Sequence, residues 1–251
     1  MLAKILTNTF WNFYDHLGLL LLGNIIALGI LSPALLWLAI GLARHPGVFE
    51  EHGLQLLAAL YATVPIGLAG LGALCHKLVF EEGACWKDFF VGIKRFSLKA
   101  YLTFALDLFV LAVLVSNIFF SARWREERPL GALFLGGIAL WILIAVVLAN
   151  QYVLPLVALG EGPIAAFTKA LRLVGAHPLV SLGLFVETLC VAILATVSVI
   201  GVAIFLLSGT VLLQTEAVRV LKLATERRVN DIPDLSHGRT VRGILSPPKG
   251  G

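Results

Sequence analysis

Apolar runs of about 20 residues recur along this chain, separated by short charged stretches. A helix rises 1.5 Å per residue, so a run of that length matches a hydrocarbon core roughly 30 Å thick. The mean hydropathy of +0.94 and the 59% hydrophobic content follow from these runs. They predict an all-α, polytopic membrane helix bundle: about six transmembrane helices plus interfacial amphipathic helices. Nearly all of the 251 residues belong to spans or short connectors. One transmembrane domain is therefore expected over 1–227, with a flexible cytoplasmic tail over 228–251.

The predicted spans are 17–42, 54–78, 100–120, 130–159, 178–198 and 201–221. Residues 2–16 read as an amphipathic helix at the interface, with Leu2, Ile5, Leu6, Phe10 and Phe13 on one face. Trp11 and Tyr14 suit the headgroup level. No cleavable signal is expected, because Lys4 precedes a mixed aromatic stretch with no small-residue cleavage site. The apolar stretch from 178 to 221 would reach about 66 Å as one helix, twice the core. Two spans with a turn near Ser198–Gly201 fit better.

Charge distribution tests the topology. With both termini cytoplasmic, the inner segments carry 15 of the 19 Lys and Arg residues, and the outer loops carry Arg44, Arg123, Arg125 and Arg128. With five spans the split becomes 8 inside and 11 outside. The positive-inside rule therefore favours six spans, with the turn near residue 200.

Two regions resemble each other: Leu78–Asp107 and Leu156–Glu187. Each closes a span, makes an acidic-Gly turn (Glu82-Gly83; Glu161-Gly162), and continues into an amphipathic helix and a new span. In the first helix Trp86, Phe89, Phe90, Ile93 and Phe96 share a face, opposite Lys87, Lys94 and Arg95. In the second, Ile164, Phe167, Leu171 and Val174 share a face, opposite Lys169 and Arg172. Both patterns follow helical spacing. Such helices either anchor connectors on anionic headgroups or present a coupling surface to a cytoplasmic partner.

The segment Leu54–Asp107, with FEEGACWKDFFVGIKRF, resembles the YesL-like family of bacterial integral membrane proteins. The stretch GEGPIAAFTKALRLVGAHPLVSL is similar to a pattern in the membrane domains of glycerophosphodiester phosphodiesterases. The resemblance implies a small inner-membrane protein of about six spans. It also implies an accessory role in carbohydrate uptake, with no catalytic residues to carry over. The phosphodiesterase domain itself has no counterpart here.

Two acids fall inside predicted spans, Asp107 and Glu187, at nearly matching places in the two halves. Ionised carboxylates are costly in hydrocarbon, so such residues face a bundle interior or a wet cavity. They are either a proton or cation relay and polar substrate contact, or packing glue hydrogen-bonded to a neighbouring span. Asn150, Gln151 and Asn24 are the candidate partners. Asn150-Gln151-Tyr152 forms a polar cluster in the fourth span.

No nucleophile elbow, P-loop or HExxH motif is present, so a non-enzyme is expected. The histidines lie at span ends, in loops or in the tail, without metal spacing, and Cys75, Cys85 and Cys190 make no CxxC pair. No cofactor or metal is expected. The basic tail lacks interleaved aromatics, which argues against nucleic-acid binding. The expected partners are the lipid bilayer and other membrane subunits. The function expected is accessory to, or part of, a solute transport system; the alternative is a structural or assembly subunit of a larger complex.

Overall fold

The computed structural model describes residues 1–44, 48–81, 83–126, 128–197 and 207–226, including their side chains except at 38–44, 48–52, 54 and 194–197. Regular structure among them is helical: α1 (Leu2–Asp15), α2 (Leu17–Arg44), α3 (Val48–Phe80), α4 (Trp86–Trp124), α5 (Pro129–Ala158), α6 (Pro163–Ala176), α7 (Pro178–Val197) and α8 (Leu207–Thr225). Helices α2 to α5 each contain a stretch long and apolar enough to cross a membrane, and α6 with α7 passes as a bent fifth. These are the features of a polytopic helical bundle. The expected turn near Ser198–Gly201, the start of the 201–221 span and the 228–251 tail lie outside the described residues. The described part of that last span is α8, which carries Glu216, Arg219 and Lys222 and is not among the crossing helices.

Several boundaries differ from those predicted. Helix α3 begins at Val48 rather than Leu54, so the polar EEHG stretch is helical. Helix α4 is continuous over 39 residues, about 58 Å, where a separate amphipathic helix and a span were expected. The second half does break: α6 and α7 meet at 107°. Pro178 accounts for the difference. It keeps His177 out of the α region and cannot donate to the preceding turn. His177 sits at φ −136°, ψ 59°. The corresponding part of α4 has no proline.

The two turns that precede these helices both use a glycine at positive φ, Gly83 at 79° and Gly160 at 94°. Gly83 was expected; in the second turn the residue is Gly160, not Gly162. The Gly160 amide donates to Val157 O at 2.9 Å and the Glu161 amide to Leu156 O at 3.2 Å. This is a Schellman closure of α5, which needs a left-handed residue. Gly162 instead caps the start of α6 in extended geometry, with Pro163 at the first helical position. Gly160→Ala is expected to cost roughly 1–2 kcal/mol, the left-handed penalty of a Cβ, read as a lower thermal midpoint in detergent.

Helices α3 and α4 approach closely through glycines. The Phe89 ring, fully buried, lies over Gly70, within 2.7 Å of where a Cβ would be. A Cβ on Gly92 would fall 2.3 Å from Ala73 Cβ. Small residues that let helix backbones meet are the usual device for helix association in lipid.

Buried side chains form two main clusters. One joins α2, α3 and Phe89 of α4 with Val211 and Leu212. The other joins Ile5, the last turns of α5, the alanine face of α6 and Leu184 with Leu213, Ala217, Val218 and Leu221. Helix α8 contributes buried residues to both, so it is the central element of the fold. Helix α1 packs on it. The buried face of α1 is Ile5, Asn8, Trp11 and Asn12, while Phe10 is half exposed. Of the face expected from Leu2, Ile5, Leu6, Phe10 and Phe13, Ile5 is buried and Phe10 is not, and the asparagines lie on the side that docks.

Candidate functional site

Antiparallel α4 and α5 bring the first predicted acid to a partner. Asn150 Nδ2 donates to Asp107 Oδ1 at 2.7 Å. The second carboxylate oxygen has no hydrogen bond among the described residues. Both side chains are half-buried and line a hollow of about 170 Å³ with Pro65, Leu68, Thr103 and Phe104. An acid held by one amide donor, with its other oxygen unpaired, can accept a proton or a hydrogen bond from a bound solute.

The expected Asn150-Gln151-Tyr152 cluster is divided, because successive helical residues point about 100° apart. Asn150 turns to α4, and the next two residues turn to α7. Gln151 Nε2 donates to Ser181 O at 3.3 Å, and Tyr152 OH donates to Ser181 Oγ at 2.8 Å. Ser181 Oγ in turn donates to His177 O at 3.0 Å. These bonds fasten α5 to the first turn of α7, just past the proline break. Gln151 Oε1 is buried without a hydrogen-bond partner among the described residues.

Glu187 does not join Asp107. It lies on α7, half-buried, against a separate hollow between α1, α7 and α8. Asn24, the third candidate partner, accepts from the Ser208 amide at 3.1 Å and ties α2 to α8. The matched positions of the two acids in sequence therefore do not become one site.

A third acid escaped the sequence reading. Glu216 is fully buried in α8. Asn8 Nδ2 donates to its Oε1 at 2.9 Å, and Arg219 Nη1 approaches its Oε2 at 3.5 Å. In sequence, Asn8 and Asn12, one turn apart on the same stripe as Ile5, mark a polar side of α1 but do not point to Glu216.

The interfacial residues are placed as follows. Phe89 is buried against α3, whereas Trp86 and Phe90 are 50% and 43% exposed, and Lys94 and Arg95 are exposed. The Arg95 guanidinium lies 5.3 Å from the Phe96 ring. On α6, Ala166, Ala170 and Val174 form the buried face with Phe167 partly buried, while Ile164 is 74% exposed. Small residues thus make the packed face of α6, while Ile164 and Leu171 of the bulky face point out and Val174 of the same face is buried. Lys169 pairs with Glu161 across the α5–α6 turn, Arg172 is exposed, and Lys99 Nζ donates to Gly160 O at 2.7 Å. Lys77 pairs with Asp88 at 2.8 Å, and Asp88 Oδ2 accepts from the Cys85 amide at 2.7 Å, closing the α3–α4 turn. Basic groups thus converge at the end of the bundle that holds both turns. Between them lies a polar groove of about 260 Å³ that includes His76, Lys77, Glu81 and Arg95. Among the described residues no group of three His, Cys, Asp or Glu could hold a metal ion. Comparison with family models, with curated proteins and with solved structures finds no match to this chain.

Proposed function

We propose that this chain is a non-enzymatic, six-span protein of the bacterial inner membrane, with both termini cytoplasmic, that serves a solute transport system as accessory or component. The observation that carries the transport role is the Asp107–Asn150 pair on the wall of its hollow. An acid inside a span is kept at considerable cost, and one with a free oxygen beside a cavity suits a polar solute or a proton. The bias of Lys and Arg toward the α3–α4 and α5–α6 turns supports the orientation. The resemblance to the YesL-like family, carried by FEEGACWKDFFVGIKRF, points to a carbohydrate as the solute.

The test is purification from native membrane in mild detergent, with mass spectrometry of what accompanies the chain. Stoichiometric permease subunits are expected. Uptake of the radiolabelled sugar carried by those subunits should then fall about tenfold or more in Asp107→Asn, at unchanged expression. Full uptake in that variant would end the transport role of Asp107.

A second reading, a structural or assembly subunit, is favoured by the outer parts of α4 and α5. Phe109, Phe119, Phe134 and Trp141 there are 66–75% exposed. Lipid or a partner helix would cover such a surface equally well. Stoichiometric partners with no transport function, and no effect of Asp107→Asn, would select this reading.

A further inference from the structure

Three acids lie within or beside the apolar core of this bundle, and two have partners. Asp107 has Asn150, and Glu216 has Asn8 and Arg219. Glu187 makes no hydrogen bond or ion pair among the described residues. It lies about 14 Å along α7 from Pro178, counted at the helical rise. Its hollow, about 390 Å³, is walled chiefly by Leu6, Phe10, Phe13, Tyr14 and Leu213. Thr9 also borders it, but its hydroxyl already donates to Ile5 O at 2.8 Å. Among the described residues no Lys, Arg or His lines the space.

We propose that this hollow binds a lipophilic organic cation, with Glu187 as counter-ion and the rings of Phe10, Phe13 and Tyr14 as walls. A carboxylate in apolar surroundings needs a positive charge beside it. Aromatic faces attract cations within about 6 Å, most strongly when water is excluded. The volume falls in the range of roughly 300–1,000 Å³ found for small-molecule sites. A bare metal ion does not fit this chemistry. It would need some six oxygen ligands, and the hollow offers one carboxylate. A cation that carries its own apolar shell needs no such cage. The site stands apart from the Asp107 hollow, and binding there is measured without any transport.

The experiment is calorimetric titration of the full-length protein in dodecyl maltoside with tetraphenylphosphonium. Saturable binding of one cation per chain is expected. Glu187→Gln should weaken it about tenfold or more, the worth of a partly desolvated charge contact. Phe13→Ala should weaken it about threefold to tenfold, through lost ring contact. Neutral triphenylphosphine oxide should bind the wild-type protein far more weakly than the cation. Equal affinity for cation and neutral analogue would overturn the proposal and mark the hollow as a seat for lipid chains. Unchanged tetraphenylphosphonium binding in Glu187→Gln would overturn it as well. The comparison of the two ligands uses only wild-type protein, so it decides the matter even where the variant does not fold.

Discussion

Gly92→Leu is expected to separate α4 from α3 and to lower the thermal midpoint of the detergent-solubilised protein more than any other single glycine replacement tested beside it. A Cβ at this position would lie 2.3 Å from Ala73 Cβ and 3.0 Å from Ala69 O. The second of these is backbone and cannot rotate away. Overpacking of this kind costs about 1–3 kcal/mol, sometimes more, when the backbone has to shift. The gain in helix propensity from Gly to Leu, up to about 1 kcal/mol, is smaller. Gly137→Leu is the control. A Cβ there meets nothing within 4 Å, so its midpoint should stay at or slightly above wild type. Equal midpoints for the two variants would show that α3 and α4 are not held by close approach at Gly92.

Glu216→Ala should be at least as damaging, by a different route. The carboxylate is fully buried, with Asn8 at 2.9 Å and Arg219 at 3.5 Å. Removing it takes away the acceptor of the Asn8 Nδ2 bond and the counter-charge of Arg219, and opens a void in the central helix. Breaking a buried pair costs roughly 3–5 kcal/mol, and the lower end applies because Arg219 keeps some exposure. Helix α1 is the element released, so hydrogen exchange of the Asn8–Asn12 amides should accelerate. Glu216→Gln keeps an oxygen to accept from Asn8 and should lose much less. If the Ala and Gln variants both match wild type in midpoint and exchange, the α1–α8 contact does not depend on this carboxylate.

These two sites show what could and could not be read in advance. Asp107 was visible because a lone acid stands out in an apolar run, and Asn150 was visible as a partner of the right chemistry. Glu216 stands in a run that also holds Gln214, Arg219 and Lys222, so it reads as the end of a span meeting water. Its importance comes from Asn8, more than 200 residues away, and no local pattern links them. The repeat misled in a similar way. Asp107 and Glu187 occupy matching places in sequence. Pro178 turns the second half by 107°, so the two acids line separate hollows.

The packing faces illustrate the same limit. Bulky residues mark one side of the first half of α4 and of α6, and in a water-soluble protein that side would face the core. Here Trp86, Phe90 and Ile164 are substantially exposed, and Phe89, Gly92, Ala166 and Ala170 are buried. Close approach at Gly92 brings α4 against α3, and Phe89 is drawn in because Gly70 leaves room for its ring.

Run length and hydropathy are local quantities, and by themselves they determined that the described residues are helical and that the segments now in α2 to α5 are long and apolar enough to cross a membrane. The tertiary structure alone decided which side of each helix meets another and which acid finds a partner. The physical reason is that lipid is as apolar as leucine. With no solvent contrast to drive large side chains inward, close backbone approach and buried polar pairs choose the neighbours, and both depend on residues far apart in the chain.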